Sequence, residues 1–299
     1  MAEKDNSLFD LSSYPIEEKA LKLKGLDAPV WTENKAALIQ RYLRYFVFIT
    51  KHGTYLDAFA GPQEPDHPES WAANLVLGSE PKWMRNFVLF ELNKQSVRHL
   101  EKLVASQGEI KPKRSIQLIS GDMNANLPKF LSENPIKASE ATFCLLDQRT
   151  FECDWSTVET LARHKADGNK IELFYFLAQG WLDRAVAALG DRDKQMLKWW
   201  GNSDWSQFMK VHASERGIAL AERFRKEFRY RFAFSYPIYE RDGKGGKIMF
   251  WMIHASDHPE APKLMVRAYN NAVAPLEPME QLMLELGNCQ DGSTALTNP

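Results

Sequence analysis

A chain of 299 residues, 44% hydrophobic and 26% charged, has the length and apolar content of one large folded unit or two small ones, and too much of both for a disordered chain. A formal charge of −1 excludes a global basic field for nucleic acid or anionic membrane, and no apolar run is long enough to span a bilayer. The three cysteines, Cys144, Cys153 and Cys289, have neither metal-ligand spacing nor a disulfide framework, and the opening residues MAEKDNSLFD lack the pattern of a signal peptide. The expectation is a protein of the reducing cytoplasm with no membrane partner.

Residues 1–30 are mixed polar and read as an N-terminal arm. Thr32 is placed to cap a helix with apolar positions Ile39, Leu43, Phe46 and Ile49. A strand, Tyr55 to Phe59, then opens the segment Tyr55-Leu-Asp-Ala-Phe-Ala-Gly-Pro-Gln63, and a loop over 62–70 leads to a short helix, Trp71–Leu77. Asn86–Glu91 reads as a buried strand, followed by a helix capped by Asn93. Ser115–Ile119 is the next strand, ending at Ser120-Gly-Asp-Met-Asn124, with a helix near Leu127–Leu131. Ala141–Asp147, a helix over Trp155–His164, and Ile171–Leu177 follow. Continuous apolar strands alternating with helices predict a parallel sheet covered on both faces. Residues 181–229, with Trp181, Trp199, Trp200 and Trp205, read as a helical insertion over the ligand-binding edge. Phe232–Tyr239 and Lys247–His254, joined by a short glycine-rich link, predict an antiparallel hairpin. The predicted α/β unit covers 31–256, and 257–299 forms a helical extension with a polar tail from Asn288, expected to be disordered.

The chemistry is expected at the carboxyl ends of the strands. Asp57, Glu91 and Asp122 fall at the ends of successive strands. Each alone is more readily a helix cap or a solvated loop acid, but the ordered series favours an adenosine-containing cofactor. Ala60 and Gly61 let backbone approach a ligand, Gln63 stands where a glycine-rich fingerprint would have Gly, and Met123 and Asn124 follow Asp122. A carboxylate at Glu91 suits ribose hydroxyls, and Asp122 suits an adenine amino group. No phosphate-cradling Lys-Ser/Thr loop is present, which favours S-adenosylmethionine over ATP. After the fourth strand, Asp147 could accept from an amine or bind a metal, Gln148 could read a base edge, and Arg149 could pair with phosphate; anchoring of the following loop is the equal alternative. Glu222–Phe232 interleaves basic and aromatic residues, as single-strand nucleic-acid surfaces do, but Phe224 and Phe228 have helical spacing toward a core. His52, His254 and His258 are scattered, so no metal site is expected, and His67 is expected to be exposed. A nuclease would need a cluster of metal-binding carboxylates and has no motif here.

Several motifs together resemble the three-Cys-motif partner proteins, a bacterial group with a Rossmann-like class I methyltransferase fold encoded beside a three-cysteine, radical-SAM-like protein. They are Trp31-Thr-Glu-Asn-Lys35, Tyr55–Pro62, Phe90-Glu-Leu-Asn93, Gly121-Asp-Met-Asn124, Cys144-Leu-Leu-Asp147, Trp155–Leu161, Trp181-Leu-Asp-Arg184, Trp200-Gly-Asn-Ser-Asp-Trp205 and Met252–His258. The resemblance implies a mostly parallel sheet closed by the C-terminal hairpin, S-adenosylmethionine as cofactor, a three-Cys-motif protein as partner, and nucleic acid or a modified nucleobase as acceptor. The family commonly has Gly-Pro-Gly at Gly61-Pro-Gln63 and Asp-Pro-Phe-Gly at Asp147-Gln-Arg-Thr150. Two functions are therefore carried forward: a methyltransferase, and a methyltransferase-fold subunit that only binds.

Overall fold

The computed structural model describes residues 30–108, 113–189, 193–240 and 246–287. Most of the expected arm, the centre of the hairpin link and the expected tail lie outside these residues.

Eight strands form one sheet. They are β1 (Val30–Trp31), β2 (Gly53–Asp57), β3 (Met84–Glu91), β4 (Ser115–Ser120), β5 (Thr142–Leu146), β6 (Glu172–Leu177), β7 (Phe232–Tyr239) and β8 (Ile248–Ser256). Their spatial order is β1-β7-β8-β6-β5-β2-β3-β4. Strands β2 to β6 pair in parallel, and β8 runs antiparallel between β6 and β7. The parallel core and the hairpin are those expected from the sequence. Strand β1 is not: Val30, assigned to the arm, pairs in parallel with Ile238 and is fully buried.

Helices cover both faces, and the period-two alternation of the strands divides the core between them. On one side Tyr55, Phe87, Phe143 and Phe174 meet α1 (Lys35–Thr50), with α2 (Ala72–Gly78) and α3 (Lys94–Ser106) completing the layer. Tyr42 and Phe46 of α1 pack on these rings at centroid distances of 4.9 to 6.2 Å. On the other, Leu56, Val88, Cys144 and Tyr175 pack under α4 (Met123–Glu133), α5 (Trp155–Arg163) and the helices after β6. A strand buried on both faces has no polar side, which is why β5 and β6 read as continuous apolar runs.

Between β6 and β7 run α6 (Gln179–Leu189), α7 (Asp193–Trp200), α8 (Trp205–Lys210) and α9 (Arg216–Phe228). The aromatics of the basic–aromatic stretch serve the core: Phe224, Phe228 and Tyr230 are buried, and the Arg223 guanidinium lies 3.7 Å from the Trp155 ring centroid and 4.1 Å from that of Trp200. After β8, α10 (Ala261–Asn270) and α11 (Met279–Gly287) pack on α1, where buried Arg41 binds the Glu277 carboxylate at 2.5 Å and the Pro275 carbonyl at 2.9 Å. Thr32 begins a 3-10 turn rather than capping α1, whose first residue is Lys35.

Candidate functional site

The sheet reverses its order between β2 and β5, where an open α/β sheet leaves a crevice beyond its carboxyl ends. A cavity of about 670 Å³ lies there, within the range of roughly 300–1,000 Å³ that takes small molecules. Its walls come from the turns after β2, β3, β4 and β5 and from α7.

Glu91 joins the first two turns. One carboxylate oxygen accepts from the Gly61 backbone N–H at 2.8 Å, the other from the Asn93 N–H at 2.7 Å. A carboxylate has about four acceptor positions, so the group can still accept hydroxyls from the cavity. A β carbon on Gly61 would overlap this carboxylate and stand 2.6 Å from the Ser96 β carbon, so close approach of the turns requires glycine there. The Asn93 side chain caps α3, accepting from the N–H groups of Gln95 and Ser96. Leu92, 68% exposed, and buried Met123 give the cavity an apolar part.

Asp122 lines the cavity and is also the N-cap of α4, accepting from the Asn124 N–H at 2.9 Å. Asn124 buckles two turns together. Its amide donates to the Glu152 carbonyl at 2.7 Å, and its oxygen accepts from the Asp154 N–H at 2.8 Å and the Thr157 hydroxyl at 3.0 Å. Gln63 is exposed in the wall. Among the described non-glycine residues, positive φ occurs at Lys51 and Arg229, so Gln63 holds a backbone conformation open to any residue.

Three predicted residues are placed away from the cavity. Asp57 is 1% exposed and accepts from the Tyr55 hydroxyl at 2.7 Å and the Phe59 N–H at 3.2 Å. Burial pushes its carboxyl up to about 7, against the lowering effect of these two donors. It braces the loop from beneath. Ala60 is buried too, with its carbonyl accepting from the Trp71 indole at 2.6 Å. Gln148 is fully buried: its oxygen accepts from the Cys153 N–H at 3.0 Å, so it cannot meet a base edge. The hydrogen-bonding demand of the buried turn after β5 takes the side chain inward.

Asp147 does line the cavity, but its carboxylate pairs with the Lys35 ammonium at 2.7 Å. That ammonium also lies 5.0 Å from the Phe176 ring centroid and 4.4 Å from that of Phe250. The Arg149 N–H donates to Glu152 at 2.6 Å, and its exposed side chain lines both this cavity and a neighbouring one of about 680 Å³. Three functional candidates escaped sequence reasoning. Lys35 closes the Trp31–Lys35 motif, but nothing local pairs it with Asp147. Gln195 and Lys198 come from α7, and only the expected placement of the insertion pointed to them.

Among the described residues no group of three or more His, Cys, Asp or Glu could hold a metal, and Cys144 and Cys153 are buried, unpaired thiols whose pKa burial raises. No described helix is long and apolar enough to cross a membrane. His67 is exposed and bonded to Glu69.

No protein-family profile and no curated protein sequence matches the chain. Solved structures resemble it in fold. TYW2 from M. jannaschii in complex with AdoMet is 11% identical over 74% of this chain and 74% of its own, with a TM-score of 0.36. DszA carbon methyltransferase is 18% identical over 69% of this chain and 47% of its own, at 0.39. Spermidine synthase from Thermotoga maritima is 14% identical over 84% and 74%, at 0.37. The chain thus spans under half the length of DszA carbon methyltransferase. The strand order β4-β3-β2-β5-β6-β8-β7, with β8 antiparallel, is that of a class I methyltransferase sheet. The chain has a class I methyltransferase fold.

Proposed function

We propose that the chain is an S-adenosylmethionine-dependent methyltransferase acting with a three-Cys-motif protein on nucleic acid or a modified nucleobase. The Glu91–Gly61 clasp carries this reading: an acceptor-rich carboxylate is fixed at the mouth of a cofactor-sized cavity by a backbone that tolerates no side chain. The residues fit the cofactor. Glu91 would accept the ribose hydroxyls, Leu92 and Met123 would flank the adenine, and Asp122, which keeps acceptor capacity beyond its capping bond, would meet the adenine amino group. The acids at the cavity walls also favour a positive sulfonium.

When bound, the cofactor would supply an electrophilic methyl group for a nucleophilic atom of the acceptor. The chain's share is orientation and exclusion of water. Lys35 pairs with Asp147 and fixes its place, and Gln195 and Lys198 of α7 line the cavity on another side.

Calorimetric titration with S-adenosylmethionine tests the reading. Wild-type protein should bind, and Glu91→Ala should weaken binding by about tenfold or more, as loss of a charged acceptor does. No binding by folded wild type would sink the cofactor assignment. A second reading, a subunit that binds without turnover, is favoured by one observation: Asp147, the first acid after β5 in the cavity lining, is already paired with Lys35. Cofactor binding without methyl transfer to any nucleic acid, with the partner present, would select it.

A further inference from the structure

Two cavities meet at Gln63 and Arg149. Their charges are opposite. The cofactor-side walls carry Glu91, Asp122, Glu152 and Asp154 against Lys198 and the shared Arg149. The second cavity, about 680 Å³, carries Arg149 and Arg184 against Glu64. Both guanidinium groups are exposed, and among the described residues neither forms an ion pair; Arg184 makes one long bond, to the Gly180 carbonyl at 3.4 Å. Between them and the core stands an aromatic wall. Trp181 is 39% exposed and packs against Phe250 with ring centroids 5.4 Å apart and planes at 59°. Phe250 is backed by the Lys35 ammonium, so this wall is held in place by the same ion pair that fixes Asp147.

A basic pair beside a partly exposed indole is suited to a planar ring joined to an anionic group: the ring stacks on Trp181 and planar guanidinium groups grip phosphate with paired donors. The position is equally informative. A ligand here reaches the cofactor cavity through the shared wall at Arg149, which is what an acceptor must do. We propose that the second cavity is the acceptor site and takes a nucleotide unit, base against Trp181 and phosphate against Arg149 and Arg184. The assignment rests on the methyltransferase reading above and narrows its acceptor to one that brings its own phosphate. It also gives the two cavities complementary partners, a cationic sulfonium on the acidic side and an anion on the basic side.

The test uses the full chain saturated with S-adenosylhomocysteine, so that the first cavity is filled before any nucleotide is added. The four ribonucleoside 5′-monophosphates, their uncharged nucleosides and a short mixed-sequence single strand are then titrated separately. At least one monophosphate or the strand should bind, and the matching nucleoside should bind about tenfold or more weakly, since it lacks the charge-assisted bonds. Arg184→Ala and Trp181→Ala should each weaken nucleotide binding about fivefold or more while leaving S-adenosylhomocysteine affinity unchanged, which also shows that the variants are folded. A strand that binds far more tightly than any monophosphate, with a steep salt dependence, identifies nucleic acid as the source of the unit; equal affinities identify a free nucleotide. If S-adenosylhomocysteine binds and no nucleotide or strand does, or if nucleosides bind as well as nucleotides, the acceptor assignment is overturned and the cofactor assignment stands. If S-adenosylhomocysteine itself does not bind, both fall.

Discussion

Gly61 and Asp57 sit four residues apart in one motif and do different work. Gly61 is required by contact, because any β carbon there meets the Glu91 carboxylate and Ser96. Gly61→Ala should therefore push the two turns apart at a cost of about 1–3 kcal/mol and lower cofactor affinity more than it lowers stability. Calorimetry beside chemical denaturation measures both. Asp57 is required by what it holds. Its carboxyl sits near 7 in the fold against 3.8 in the open chain, so between those values the folded state keeps a proton that the unfolded state has lost. Stability from this residue is therefore fully present below the lower value and falls with rising pH, by about 1.4 kcal/mol per pH unit, until about pH 7. Denaturation of Asp57→Asn across pH 4–8 should show that part of the slope removed, since the amide can accept from Phe59 and donate to Tyr55 without a charge. An unchanged slope would deny the buried acid its role.

At the scale of elements, α7 is the part that closes the site. Gln195 donates to the Phe151 carbonyl at 2.6 Å, and Lys198 lines the cavity one turn further on. The helix is held by its aromatic end: Trp200 stacks on Phe208 at 4.3 Å and on Trp155 at 6.0 Å, with Arg223 against both indoles. Gly201 follows at φ +86°, with Trp155 filling the space a side chain would need. Trp200→Ala should cost about 3–5 kcal/mol in urea unfolding and weaken cofactor binding as well, because the cavity roof moves with the helix. Four tryptophans in this region announced a packed insertion in the sequence; which of them would pack on one another was not legible, because helical spacing orders residues on a single helix and says nothing about the partner helix.

Across the whole molecule, a second buried polar cluster lies at the end of the sheet opposite the site. At the amino end, the Glu172 carboxylate bonds the Tyr42 hydroxyl, the His254 ring at 2.9 Å and the Ser256 hydroxyl at 2.8 Å, all buried beside a small cavity of about 230 Å³. The network ties α1, β6 and β8, the junction where the parallel sheet turns antiparallel. Glu172→Ala would leave three buried polar groups without their shared acceptor, a cost of about 3 kcal/mol or more. Thermal unfolding should show that loss while calorimetry shows cofactor affinity unchanged. His254 and the neighbouring His258 looked merely scattered in the sequence; it is the antiparallel register of β8 on β6 that brings His254 to Glu172.

The order and type of the strands, the hairpin and the placement of Glu91 and Asp122 at strand ends were determined by the sequence itself. Buried parallel strands must be continuously apolar, a short link can join only antiparallel neighbours, and Asn93 and Asp122 cap the helices they precede. The tertiary structure alone decided which polar residues face the cavity. Asp57 and Gln148 were expected there and turn inward, because backbone groups in their buried turns demand partners and the nearest side chain supplies them. Lys35 reaches Asp147 across 112 positions, and Arg149 shares one cavity wall with Trp181 and Arg184, which lie one turn apart on α6. Such long-range pairings depend on the crossovers that set β5 beside β2 and bring α6 over β8, and no local pattern of residues encodes them.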